Sequence, residues 1–257
     1  MTQTERLLFL IKYLISENNE LKFLHIPVEE NARKRLLRSL MNIRPPKPVT
    51  RDFLNIQDEY LQREKTEKGI ISLADIPFVK SGIYLWQGDI TRLSVDAIVN
   101  AANSAMLGCF VPCHGCIDNA IHSAAGIELR LECSRIMEKQ KTEEPTGKAK
   151  ITKAYNLPCR YVLHTVGPII YEEVTKSDCN LLSDCYRSCL ELATEYQLKS
   201  IAFCCLSTGE FHFPNEAAAE IAIHTVKDYQ KKNPSEMEVI FNVFKDCDYK
   251  IYKQLLG

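Results

Sequence analysis

Apolar residues open the chain at helical spacing: Leu7, Leu10, Ile11, Leu14 and Ile15 share one face. Residues 28–42 and 52–65 carry two further helical patterns. Arg44-Pro45-Pro46-Lys47-Pro48 separates them, because proline lacks the amide donor a helix needs. From Gly82 the texture changes. Ile83–Gln87, Ala97–Val99, Arg160–Val166, Ser200–Leu206 and Glu238–Phe244 read as strands. Between and after them Cys116–Ala125, Leu181–Tyr196, Pro214–Lys231 and Tyr249–Leu255 read as helices, with Gly126 as a stop and Pro214 as a start. Strands alternating with helices predict a three-layer α/β/α fold with a mixed or mostly parallel central sheet over residues 76–257. A helical extension over residues 1–75 precedes it. In such sheets ligands bind in the crevice beyond the carboxyl ends of the strands.

Composition narrows the classes. The chain has 257 residues, 46% hydrophobic and 25% charged, with a formal net charge of -1. That balance suits an ordinary globular protein and gives no general attraction to nucleic acid or anionic membrane. No stretch approaches the roughly 20 apolar residues of a membrane span. Glu5, Arg6 and Lys12 break up the apolar N-terminal run, and no small-residue cleavage site follows it, so a cytoplasmic location is expected. Eleven cysteines, an odd number and scattered, argue against a disulfide framework. Cys204 and Cys205, inside an apolar run, read as core. Cys109, Cys113 and Cys116 are different: they lie within eight residues of one another, around His114.

Three loops fall where the crevice rule puts a ligand. Gln87-Gly88-Asp89-Ile90-Thr91 ends a strand and offers a carboxylate able to accept from an amino group; a turn cap is the plainer reading. Asn100-Ala101-Ala102-Asn103-Ser104 presents two amides that can hold a sugar hydroxyl or orient a water, or merely close a turn. Ser207-Thr208-Gly209-Glu210-Phe211-His212-Phe213-Pro214 leads into a helix, where backbone N–H groups can cradle a phosphate and Phe211 and Phe213 can line an apolar wall. His122 and His164 read as packing histidines, and His212 lies near the phosphate loop. Taken alone, the Cys109–Cys116 loop reads as a metal site, because zinc takes thiolate and imidazole ligands. Either a closed set of three Cys and one His or an open three-ligand set fits that count, with Pro112 stiffening a tight loop.

Together these pieces resemble the macrodomain family. The resemblance rests on GDIT at 88–91, VDAIVNAAN at 95–103, IDNAIHSAAG at 117–126, PTGKAKITKAYNLPCRYVLHTVGP at 145–168 and STGEFHFP at 207–214. It covers about two-thirds of the chain, from about Ile83 onward, and is greatest to the branch that hydrolyses mono-ADP-ribose from proteins. It implies that Asp89 binds the adenine amino group beside the backbone of Ile90. It implies that Asn103 positions the distal ribose, that Asp118 takes part in catalysis, and that Ser207, Thr208, Gly209, Glu210 and Phe211 wrap the diphosphate. Related hydrolases carry a glycine run where this chain has Gly108–Cys116. That replacement is similar to the zinc-containing macrodomains of microbes, and implies Cys109, His114 and Cys116 as zinc ligands, Cys113 as a spare and a fourth position open. An open zinc lowers the pKa of bound water to about 7 or polarises a substrate oxygen.

The expectation is therefore a zinc-dependent hydrolase that frees mono-ADP-ribose from protein side chains, carboxylate-linked ones first. The resemblance suggests a lipoyl-carrier protein modified by a sirtuin-type transferase as substrate. The alternatives are a non-catalytic ADP-ribose reader, an O-acetyl-ADP-ribose deacetylase, and a redox-sensing or structural zinc protein.

Overall fold

The computed structural model describes residues 1–234 and 236–257. The extension folds into three helices, α1 (Gln3–Ser16), α2 (Glu30–Ile43) and α3 (Arg51–Lys68). α1 opens on a capping box in which Thr2 and Glu5 satisfy each other's backbone N–H groups. The three helices bury Leu7, Leu10, Ile11, Leu37, Leu40 and Phe53 against one another, and Ile127 from beyond the extension joins the same cluster. The extension is thus packed onto the rest of the protein.

Among the described residues nine strands follow: β1 (Ile71–Ser72), β2 (Phe78–Lys80), β3 (Ile83–Gln87), β4 (Leu93–Ser94), β5 (Ala97–Ala101), β6 (Ala149–Lys153), β7 (Tyr161–Thr165), β8 (Ser200–Phe203) and β9 (Glu238–Val243). β1 pairs with β4, in parallel, as a separate two-stranded sheet. The other seven form one sheet in the order β2-β3-β9-β8-β5-β7-β6. The five inner strands run parallel and the two edge strands antiparallel, so the sheet is mixed. Helices α4 (Ile117–Ala125) and α5 (Ile127–Gln140) cover one side with the extension. α6 (Lys176–Glu195), α7 (Asn215–Lys232) and α8 (Asp246–Leu256) pack side by side as the other layer. The result is the three-layer α/β/α arrangement.

The structure departs from the sequence pattern at a few places. Gly126 does end α4, with a left-handed φ of 94°, but the same residue starts α5 at once. The charges of α5 blur its apolar stripe, and one of them, Arg130, is buried for a reason given below. β6 reads only Ala-Lys-Ile-Thr-Lys, too short and too polar to signal a strand without its partner β7. The expected strand Ser200–Leu206 stops at Phe203, where the chain turns into a loop. Cys204 is buried as expected, whereas Cys205 is only half-buried. Among the described residues, no helix is long and apolar enough to cross a membrane.

Because β3, β9, β8, β5 and β7 are parallel, the segments after Gln87, Ala101, Thr165, Phe203 and Val243 all emerge at one edge of the sheet. All three candidate loops and the cysteine-rich loop are gathered there.

Candidate active site

β5 is buried on both faces, and its polar residue Asn100 is fully buried. Its Oδ1 has no partner among the described residues, and its Nδ2 carries the contacts. Its Nδ2 donates to Asp118 Oδ1 at 2.8 Å and lies 3.2 Å from His164 Nδ1. His164 Nε2 is 2.9 Å from Thr152 Oγ1. Burial lowers the His164 pKa to about 3, so the ring is neutral. A neutral ring that accepts at Nδ1 and donates from Nε2 satisfies both contacts.

Asp118 sits in the first turn of α4, where the helix dipole favours a carboxylate. It is nonetheless 5% exposed, and burial raises its pKa to about 6 against the opposing Asn100 hydrogen bond and Arg130 charge. Asn103 Nδ2 donates to Gly108 O at 3.2 Å and to Asp118 Oδ2 at 3.4 Å. The fold thus brings together Asn103 and Asp118 from different elements. His122, one turn along α4, places Nε2 at 3.5 Å from Asp118 Oδ1, and burial holds it neutral. Neither of its ring nitrogens has a hydrogen-bond partner among the described residues.

Immediately before α4, Cys109, His114 and Cys116 converge. Their ligand atoms all lie within 4.8 Å of one another, with Cys109 Sγ 3.6 Å from His114 Nδ1. Two ligands on a tetrahedral zinc, at about 2.3 and 2.0 Å from it, stand roughly 3.5 Å apart, so this group can hold such an ion. Cys113 is outside the group: its Sγ contacts Ser39 Oγ at 3.2 Å and Arg35 O at 3.4 Å on α2. Burial, then the Cys109 thiol, push the Cys116 thiol up to about 12. Metal ligation by the Cys116 thiol therefore releases a proton.

At the other end of the crevice Asp89 is half-buried. Its Oδ1 accepts from Thr91 N and Oγ1 at 3.0 and 2.7 Å, while Oδ2 has no partner among the described residues. Ile90 beside it is buried. Sequence reasoning missed Phe244, which it took as the end of a strand. The residue is 75% exposed just past β9. Gly88 N donates to Val243 O at 2.9 Å and Gln87 Nε2 to Phe244 O at 3.4 Å, so Phe244 stands beside the Gly88-Asp89 turn. Only the β3–β9 pairing reveals this, since the two segments are over 150 residues apart.

Between these ends lies the 207–214 loop. Ser207 takes a left-handed φ of 63°, and Phe213 N and His212 N fold the loop back onto Ser207 O and Gly209 O. The N–H groups of Thr208, Gly209, Glu210 and Phe211 have no protein acceptor among the described residues. A Cβ on Gly209 would meet nothing within 4 Å, so its backbone borders open space. One expectation is corrected here. Phe213 is 1% exposed within the main core and lines no cleft, because a left-handed turn at His212 carries it inward; Phe211 stays half-buried. Glu210 reaches across to the cysteine-rich loop, with Oε1 3.6 Å from His114 Nε2.

Residues 99–222 match the family model of the Macro domain. A relative from Treponema medium named protein-ADP-ribose hydrolase is 56% identical over 261 residues, covering 100% of both chains. The chain belongs to the macrodomain family. A second protein-ADP-ribose hydrolase, from Staphylococcus aureus strain MSSA476, is 46% identical over 97% of this chain and 94% of its own. Among solved structures, the Trypanosoma brucei macrodomain in complex with ADP-ribose superposes with a TM-score of 0.67, at 31% identity over 82% of this chain and 92% of that one. The Oceanobacillus iheyensis macrodomain with ADP gives a TM-score of 0.62, at 38% identity over 68% and 89%.

One further residue of this macrodomain shapes the loop without touching the crevice. A Cβ on Gly167 would meet Ser207 Oγ at 2.0 Å and Ser207 Cβ at 3.3 Å. Gly167→Ala forces the Ser207 hydroxyl out of its place and presses on Ser207 Cβ, at the start of the turn that aims the four free N–H groups, and overpacking of this kind costs about 1–3 kcal/mol. The expected outcome is at least about 10-fold weaker ADP-ribose binding by calorimetry. Unchanged affinity would mean that the loop does not hold the ligand.

Proposed function

We propose that this macrodomain is a zinc-dependent protein-ADP-ribose hydrolase that frees mono-ADP-ribose from side chains, carboxylate-linked ones first. The observation that carries the proposal is the meeting of Asn103 and Asp118 with a three-ligand group at the crevice end, Cys116 being only two residues before Asp118. The names of the full-length relatives from Treponema and Staphylococcus support the hydrolase part of it.

The crevice reads along the ligand. Asp89 Oδ2 accepts the adenine amino group next to Ile90, and the exposed ring of Phe244 offers a stacking face. The unpaired N–H groups of Thr208 to Phe211 receive the diphosphate, a helix-entry anion site. Asn103 holds the distal ribose, which leaves the scissile bond next to Asp118. Asn100 fixes one carboxylate oxygen of Asp118, so the other faces Asn103 and the ribose, where it can take a proton from an attacking water or a ribose hydroxyl. Cys109, His114 and Cys116 would hold the zinc, with the Glu210 carboxylate near the other nitrogen of His114 as is usual for a ligating histidine. When bound, zinc would supply Lewis-acid polarisation of an oxygen beside it.

The test is release of ADP-ribose from an acceptor protein modified on a carboxylate, followed by mass spectrometry with and without a zinc chelator. Release that stops on chelation supports the proposal. Tight ADP-ribose binding without release would favour a reader. A lipoyl-carrier protein modified by a sirtuin-type transferase belongs in the acceptor panel, on the strength of the resemblance alone. Eleven free thiols support a reducing, cytoplasmic setting. The Phe244 assignment has its own check. Base–aromatic stacking is worth about 1–3 kcal/mol, so Phe244→Ala is expected to weaken ADP-ribose binding by about 10-fold while leaving binding of ribose 5-phosphate unaltered. Equal losses for both ligands would place the ring elsewhere.

A further inference from the structure

The extension does more than add a second hydrophobic cluster. Its helix α2 runs along the cysteine-rich loop and holds the second half of it. Asn42 Oδ1 accepts from Cys113 N at 2.9 Å, Ser39 Oγ lies against Cys113 Sγ, and Arg38 Nη2 donates to His114 O at 3.1 Å. Cys113 carries a left-handed φ of 51°. A non-glycine residue pays about 1 kcal/mol or more for that conformation and keeps it only where surrounding contacts impose it. Arg38 makes a second link. Its Nε and Nη2 donate to Asn119 Oδ1 at 3.0 and 2.7 Å, and Asn119 Nδ2 donates to Val111 O at 2.9 Å. One guanidinium thus ties the middle of the loop to the first turn of α4, next to Asp118.

The first half of the loop is tied to the end of the same helix by another arginine, from α5. Arg130, 5% exposed on α5, donates from Nη1 to the carbonyls of Met41, Asn42 and Arg44 at the end of α2. A cation at the carboxyl end of a helix is favoured there by the helix dipole and by the unpaired carbonyls. The same side chain donates to Leu107 O at 2.6 Å and to Cys109 O at 3.4 Å. Cys109 and His114 are therefore set relative to each other through α2, which belongs to neither the sheet nor the loop.

We propose that Arg38 is a positioning residue for the metal centre, and that the extension through it presets the spacing of Cys109, His114 and Cys116. The inference rests on the zinc reading given above, and its test separates the two. Zn2+ affinity of the full chain is measured by competition with a chromophoric chelator for wild type, Arg38→Ala and Arg38→Lys. Amide hydrogen exchange across residues 109–116 is followed in the metal-free proteins alongside. Outer partners of metal sites typically contribute 10–100-fold in affinity, so Arg38→Ala is expected to bind zinc at least about 10-fold more weakly. Cys113 and His114 should exchange faster, and the melting temperature should stay close to that of wild type. Lysine keeps the charge but cannot bridge two acceptors in a fixed fork, so Arg38→Lys should recover only part of the affinity. It also serves as the reading if the alanine variant fails to fold. Arg63→Ala, which removes an exposed ion pair with Glu67 on α3, should change neither readout. Zinc affinity unchanged in a folded Arg38 variant overturns the proposal, whatever the exchange shows. If wild type takes up no zinc, the zinc reading fails. The preset spacing then stands or falls on the exchange data alone: unchanged protection at 109–116 overturns it, and faster exchange sustains it.

Discussion

Asp118→Asn is expected to lower the rate of ADP-ribose release at least about 100-fold, the usual weight of a positioned general base, with ADP-ribose affinity held within a few-fold. The substitution is nearly isosteric. Asn100 can still donate to the retained side-chain oxygen, so the buried network that includes His164 keeps its partners. What disappears is the group able to accept a proton beside the distal ribose. Single-turnover kinetics on a modified acceptor, with calorimetry for ADP-ribose, separates the two quantities. A variant with near wild-type turnover would remove Asp118 from the chemistry and leave it a ribose contact. A variant that loses binding and turnover equally would make it a ground-state contact only.

The second large effect concerns the metal ligands. His114→Ala or Cys109→Ser is expected to abolish stoichiometric zinc and to reduce release by about 100-fold or more, and prolonged chelation of the wild type is expected to do the same. Cys113→Ser is the informative companion. Its sulfur points to Ser39 and Arg35 rather than to the other three side chains, so zinc content and turnover should both persist. Loss of zinc in Cys113→Ser would mean that the loop rearranges to a closed set of four ligands. Full activity in the metal-free wild type would instead limit the Cys109–Cys116 group to shaping the crevice.

Asp118 is reached only through the family resemblance, whereas the metal ligands and the crevice loops stand out in the sequence itself. The two asparagines after the apolar run Ala97–Val99, and the Gly-Asp turn at 88–89, follow strand patterns with clear periodicity, so their place at strand ends could be read directly. Three cysteines around one histidine form a local cluster, and local clusters survive folding because a few residues of chain cannot carry them apart. Those short-range relations determined the fold class, the three crevice loops and the candidate ligands.

Other features required the tertiary structure, because the partners are far apart in the chain. Phe244 is an ordinary apolar residue until β9 pairs with β3 and leaves it exposed beside Gly88. Phe213 looks as available to ligand as Phe211 until the turn at His212 buries it. Spacing alone does not tell Cys113 from its neighbours; the resemblance marks it as the spare, and the surface of α2 supplies the physical reason by turning it away. Arg130 breaks the apolar stripe of α5 for a reason invisible in its own segment, since the carbonyls it satisfies belong to residues 41–44. Local pattern determined what the chain can form and which side chains carry chemistry. Long-range packing decided which of them face the crevice, because burial and hydrogen-bond partners are properties of neighbours that sequence distance does not encode.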